Sequence, residues 1–134
     1  MLFGQEHIDR YVETDGEVGY EWENGTTILL LTTTGAKTGQ ERVAPLIFVE
    51  RDGVPAIVAS KGGAPEPPAW YVNLRAHPEV TVQIKGEVFP ARARTATPEE
   101  KPQWWDLAVS AWPAYADYQR KTDREIPIVL LERT

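Results

Sequence analysis

Cysteine is missing from all 134 residues, which removes disulfides, thiol nucleophiles and cysteine-ligated metals together. That absence suits a reducing cytoplasm, the expected location. Histidine is nearly as scarce: only His7 and His77 occur, far apart and without helical or hairpin spacing, so no metal site is expected. Ser60 and Ser110 are the only serines and no G-x-S-x-G elbow is present, which sets serine hydrolysis aside. A glycosidase-type carboxylate pair has thin support, since only Asp106 and Asp117 sit in apolar settings. No apolar run nears the roughly 20 residues that a membrane span requires. No charged-then-apolar leader opens the chain either, so neither a transmembrane segment nor secretion is expected.

Basic residues are lacking at the N-terminus. Residues 1–25 hold Glu6, Asp9, Glu13, Asp15, Glu17, Glu21 and Glu23 against Arg10 alone, while residues 26–134 balance. The whole net charge of −6 therefore lies in this lead. Phosphate repels such a segment, so no nucleic-acid partner is expected, and docking on an anionic membrane is disfavoured.

What is present reads as one domain over 26–134, behind an acidic segment 1–25 with a short helix around His7–Val12. Six stretches carry strand signals: Thr26–Thr34, Arg42–Glu50, Val54–Lys61, Glu79–Lys85, Glu87–Ala96 and Ile126–Glu132. Arg51-Asp52-Gly53 and Gly86 mark hairpins. In the fifth strand Ala91 and Ala93 alternate with Arg92 and Arg94, one face buried and one wet. Pro68 starts a helix over Ala69–Ala76, which Pro78 stops. Thr97-Pro98-Glu99-Glu100 has capping-box spacing and leads a helix through Trp104, Leu107 and Ala111, with Pro113 kinking it or starting another. Mostly antiparallel strands with few helices predict a small barrel or half-barrel, α+β in class.

Three stretches could carry a site. Gly35-Ala36-Lys37-Thr38-Gly39 leads to Arg42; its glycines let the backbone turn tightly and expose N–H groups beside two cations. This is either an anion nest or a hairpin turn with solvated charges. Ala59-Ser60-Lys61-Gly62-Gly63-Ala64-Pro65 follows a buried strand with small residues, which would let a flat ligand near the backbone or would simply connect strand to helix. Trp112, Tyr115 and Tyr118 share a face if the helix is continuous, facing a cleft or the core. Trp70 and Tyr71 pose the same choice.

Together the segments LLLTTTGAKTGQERVAPLIFVERDG, AIVASKGGAPEPPAWYVNLRAHPEV and WWDLAVSAWPAYADYQRKTDREIPIVLLE resemble the deazaflavin-dependent nitroreductase and quinone reductase family of actinobacteria. They run in order over almost everything from Thr27 to the end. The resemblance implies a split β-barrel of the flavin-reductase type and coenzyme F420, an 8-hydroxy-5-deazaflavin with a phosphate and an oligoglutamate tail. By matched position, Ala36, Lys37, Thr38 and Arg42 would meet the phosphate and tail. Val43, Ala44, Pro45, Leu46 and Ile47 would border the cofactor through backbone. Val58, Ala59, Ser60 and Lys61 would edge the ring, with Gly62, Gly63, Ala64 and Pro65 forming the adjoining loop. Ala69, Trp70, Tyr71, Val72 and Asn73 would complete the pocket. The acceptor would meet Ser60, Trp112, Tyr115 and Tyr118.

The implied activity is hydride transfer from reduced F420 to a menaquinone-like quinone or a nitroaromatic acceptor. Trp112 stands where nitroimidazole-activating members carry tyrosine, which disfavours that acceptor. An FMN- or haem-binding barrel and a non-catalytic deazaflavin carrier are the competing readings, and monomer and homodimer are both open.

Overall fold

The computed structural model describes residues 4–134. Helix α1 (Gly4–Glu13) precedes strands β1 (Thr27–Thr34), β2 (Glu41–Arg51) and β3 (Val54–Val58). Helix α2 (Ala69–Ala76), strands β4 (Glu79–Ile84) and β5 (Glu87–Thr95), helices α3 (Lys101–Ala111) and α4 (Ala114–Arg120), and strand β6 (Ile128–Arg133) follow. The strands close into an antiparallel barrel in the order β1-β2-β3-β6-β5-β4. Closure leaves no sheet edge unpaired.

Inward alternation along the strands fills the barrel. Leu29, Leu31, Ile57, Val82, Val129 and Leu131 are fully buried there, each stabilising the fold by roughly 1.5–3 kcal/mol. Ala91 and Ala93 point inward and Arg92 outward, as the alternation predicts. Outside the barrel, α3 lays Trp104 over Ala56, Ile128 and Leu130. Helix α1 lays Tyr11 over Ile28 and Leu30. The Tyr11 hydroxyl donates to the Ile28 carbonyl at 3.0 Å and accepts the Lys85 N–H at 2.7 Å. Burial raises the pKa of this phenol.

The six expected strands all form, with shifts at their ends. Asp52 and Gly53 both take positive φ, 53° and 78°, which matches the twist of a two-residue hairpin. Strand β3 stops at Val58 rather than Lys61, because Ser60 turns helical and Lys61–Gly63 form a 3-10 turn. The capping box forms: Thr97 N–H donates to Glu100 Oε1 at 2.9 Å and Glu100 N–H to Thr97 Oγ1 at 3.3 Å. Regular helix starts only at Lys101, with Pro102 accommodated in its first turn. Pro113 starts a second helix and leaves Trp112 at φ −139° between the two. The expected aromatic face is therefore not one helix face. It is assembled across a helix break. Among the described residues, no helix is long and apolar enough to cross a membrane.

Candidate functional site

Two cavities meet at Trp70, on the side of the barrel where β2, α2 and α4 converge. One, of about 530 Å³, is walled by β2, the end of β3, the Ser60 turn and the α3–α4 junction. The other, of about 480 Å³, lies between the β1–β2 loop and α2. A concave, mostly apolar space with a few placed polar groups is the usual form of a small-molecule site.

The smaller cavity carries the positive charge. Lys37, Thr38 and Arg42 line it beside Ala36, Ala44, Ala69, Val72 and Asn73. Gly35 lies close to the loop it opens, since a Cβ would sit 2.8 Å from Thr38 Oγ1 and 3.1 Å from the Gln40 carbonyl oxygen. The loop is braced from α2: Ala36 N–H donates to Asn73 Oδ1 at 3.0 Å, and Asn73 Nδ2 donates to Thr33 Oγ1 at 3.3 Å. Gly35 and Gly39 N–H groups are taken by the Gln40 and Gly35 carbonyls. Of the two readings of this loop, the turn is therefore the better match, since its N–H groups are largely used internally, and the side chains of Lys37 and Arg42 supply the positive charge. Lys37 and Arg42 are exposed and, among the described residues, enter no ion pair.

The larger cavity is aromatic. Trp70, Trp112, Tyr115 and Tyr118 line it, and Trp22 closes it by packing on Trp112 with ring centroids 5.7 Å apart. Pro45, Leu46, Ile47 and Val58 supply an aliphatic floor. Three hydroxyls face this apolar space: Ser60, Tyr115 and Tyr118 line it, and among the described residues none bonds to another protein group. Tyr115 is buried and packs edge-on against Tyr118 at 6.1 Å. Burial first, and the neighbouring Tyr118 second, push its phenol well above the ordinary value. Tyr115 is therefore a hydrogen-bond donor that keeps its proton.

The Ser60 loop is held from behind. Arg124 donates to the Ser60 carbonyl at 2.8 Å, to Ala64 at 2.9 Å and to Ala59 at 3.2 Å. Gly63 lets α4 approach, since a Cβ there would meet the Tyr118 carbonyl at 2.6 Å. Lys61 is half-engaged already, in an exposed ion pair with Glu66 at 3.3 Å.

Most residues singled out in the sequence line one cavity or the other, Lys61 and Gly62 included. Val43, Ala59, Gly63, Ala64, Pro65 and Tyr71 line neither. Ala59 is core, Val43 faces solvent, and Tyr71 is buried with its hydroxyl on Thr95 at 2.9 Å. Residues that sequence reasoning missed include His7, Trp22, Ile28, Pro68 and Arg124. His7 is buried, with Nε2 at 2.8 Å from the Gly19 carbonyl. Trp22 carried one weak signal, a tryptophan within an otherwise acidic lead. Arg124 had none, because its partners lie about sixty residues away in sequence.

A flat tricyclic ring with an anionic extension fits this donor set: aromatic walls and hydroxyls on one side of Trp70, unpaired cations on the other. Comparison with known proteins agrees. The family model of the F420H2-dependent quinone reductases matches residues 3–133. An F420H2-dependent quinone reductase of Mycobacterium tuberculosis strain H37Rv is 36% identical over 130 residues, covering 95% of this chain and 87% of the relative. A solved F420-H2 dependent reductase, FDR-A, is 53% identical with a TM-score of 0.73, covering 78% of this chain and 93% of its own. A chain solved as a domain-swapped dimer is 47% identical with a TM-score of 0.76, covering 96% of each. On the family match and the identities over nearly the whole chain, this protein belongs to the F420H2-dependent quinone reductase family.

Proposed function

We propose that the chain is an oxidoreductase that uses reduced coenzyme F420 to reduce a quinone. The joined cavities carry the reading: two cations without ion-pair partners open onto an aromatic chamber lined by three hydroxyls without protein partners. Lys37 and Arg42 would hold the phosphate and acidic tail as charge-assisted partners. Trp70, Val58 and the Pro45–Ile47 stretch would seat the ring. When bound, the reduced deazaflavin supplies a hydride, and the chemistry is the cofactor's own.

The side chains do the rest. Trp22 and Trp112 exclude water and press a planar acceptor into place. Tyr115 Oη and Ser60 Oγ donate hydrogen bonds to the acceptor oxygen as negative charge develops on it. Tyr118, only partly buried, passes a proton from solvent through Oη, so that quinone plus hydride plus proton gives hydroquinone. Nitroaromatics are the second acceptor class in this reading, and Trp112 disfavours nitroimidazoles by replacing a hydroxyl with bulk. A cytoplasmic setting accords with the absence of cysteine. A homodimer is favoured by likeness to the domain-swapped relative, and light scattering of the purified chain checks it.

The test mixes the purified protein with reduced F420 and follows its oxidation with and without menadione. Quinone-dependent oxidation, absent with reduced FMN or NADPH, is the expected result. Tight binding without oxidation would make the chain a carrier instead, and absence of binding would overturn the cofactor assignment.

A further inference from the structure

Arg124 lines neither of the two joined cavities, yet its guanidinium is committed to the loop that carries Ser60. Nε donates to the Ala64 carbonyl at 2.9 Å, one terminal nitrogen to Ala59 at 3.2 Å and the other to Ser60 at 2.8 Å. Among the described residues it enters no ion pair, so backbone carbonyls alone engage the cation. A planar fork reaching three carbonyls is something arginine does and lysine does not.

The segment bearing Arg124 is itself tied to α4. Gln119 Nε2 donates to the Arg124 carbonyl at 2.8 Å, and Gln119 Oε1 accepts the Ile126 N–H at 2.9 Å. Gln119 directly follows Tyr118, and the Gly63 backbone lies against the Tyr118 carbonyl. One continuous set of hydrogen bonds thus runs from α4, which holds Tyr115 and Tyr118, to the turn that holds Ser60.

We propose that Arg124 is a positioning residue, which, braced by Gln119, fixes Ser60 relative to Tyr115 and Tyr118 so that the three hydroxyls are preassembled around one acceptor. The inference rests on the quinone reductase reading. Displacement by about 1 Å can cost on the order of a hundredfold in turnover, which is why a residue outside the cavity can govern rate.

The test uses Arg124→Met and Arg124→Lys in the full chain. In Arg124→Met, kcat with F420H2 and menadione falls at least about tenfold, with cofactor Kd rising no more than about threefold. Arg124→Lys recovers only part of that rate. Ser60→Ala lowers kcat about fivefold in the parent and less than about twofold in Arg124→Met, whereas Lys37→Ala raises cofactor Kd equally in both. Additive loss of kcat for the Ser60→Ala pair, or parental kcat in Arg124→Met, would overturn the proposal. Hydrogen exchange without any cofactor separates this from failure of the reductase reading. The Gly63 N–H, bonded to the Ser60 carbonyl at 2.9 Å, should lose protection in Arg124→Met while the barrel strands keep theirs. Unchanged exchange at Gly63 would also overturn it, whatever the wild-type chain does with a quinone.

Discussion

Tyr115 shows how burial sets the role of a single side chain. Its phenol is pushed above the ordinary value of 10 by desolvation and then by Tyr118. It therefore offers a hydrogen bond without ionising, and Tyr115→Phe should lower kcat/KM about fivefold to tenfold through loss of one donor. The same shift affects stability with a definite sign. Above pH 10 the unfolded chain releases this proton and the folded chain keeps it, so the unfolded state binds fewer protons and stability falls as pH rises. Urea midpoints between pH 9 and about 11 should drop less steeply for Tyr115→Phe than for the parent. Lys37 and Arg42 act in the other cavity and on another quantity. Replacing either with alanine should raise cofactor Kd about fivefold to tenfold and leave kcat at saturating cofactor unchanged, as fluorescence titration and steady-state rates would show.

Among the elements, the turn after β3 and the start of α3 make opposite use of tight geometry. Gly63 takes φ +85° and stands where a Cβ would lie 2.6 Å from the Tyr118 carbonyl. Gly63→Ala must push α4 outward, so both melting temperature and turnover should fall, with a destabilisation of about 1–3 kcal/mol. At α3 the capping box doubles as an ion-pair network. Glu100 receives two bonds from the Arg94 guanidinium, at 2.7 and 2.9 Å, while Arg94 also reaches Glu132 at 2.9 Å. The Arg94 bonds first, and the Thr97 N–H second, lower the Glu100 carboxyl from 4.5 to about 2. A carboxyl held low stabilises the fold above its unfolded value and loses that contribution as pH falls from 4.5 toward 2. Glu100→Gln should therefore melt lower than the parent at pH 7 and converge with it near pH 2, read by thermal unfolding.

For the molecule as a whole, charge is divided between an acidic lead and a balanced barrel, two of whose cations, Lys37 and Arg42, line one cavity. Because Lys37 and Arg42 are exposed, raising salt well past the point where screening acts over about 10 Å should weaken cofactor binding several-fold. Turnover of bound cofactor should be insensitive to the same change, since Lys61, the lysine lining the aromatic chamber, is already on Glu66. Much of this architecture was legible along the chain. Strand periodicity, the Asp52-Gly53 turn, the Thr97–Glu100 cap and the acidic lead are local, and each depends on residues within a few positions of one another. The glycine loop and its two cations were equally visible, because tight turns and charge declare themselves in composition. What the chain did not declare was which partner each group would choose. Asn73, which lines the smaller cavity, also braces the glycine loop, and the loop uses its own N–H groups to fold back on itself. Trp22 meets Trp112, and Arg124 reaches Ser60, across separations for which no sequence period exists. The sequence by itself determined the strands, the turns and the kind of chemistry on offer, because those follow from local sterics and residue type. Only barrel closure decided that three hydroxyls from two segments would share one chamber, and that a distant arginine would hold them there, because those contacts exist only once the chain has packed.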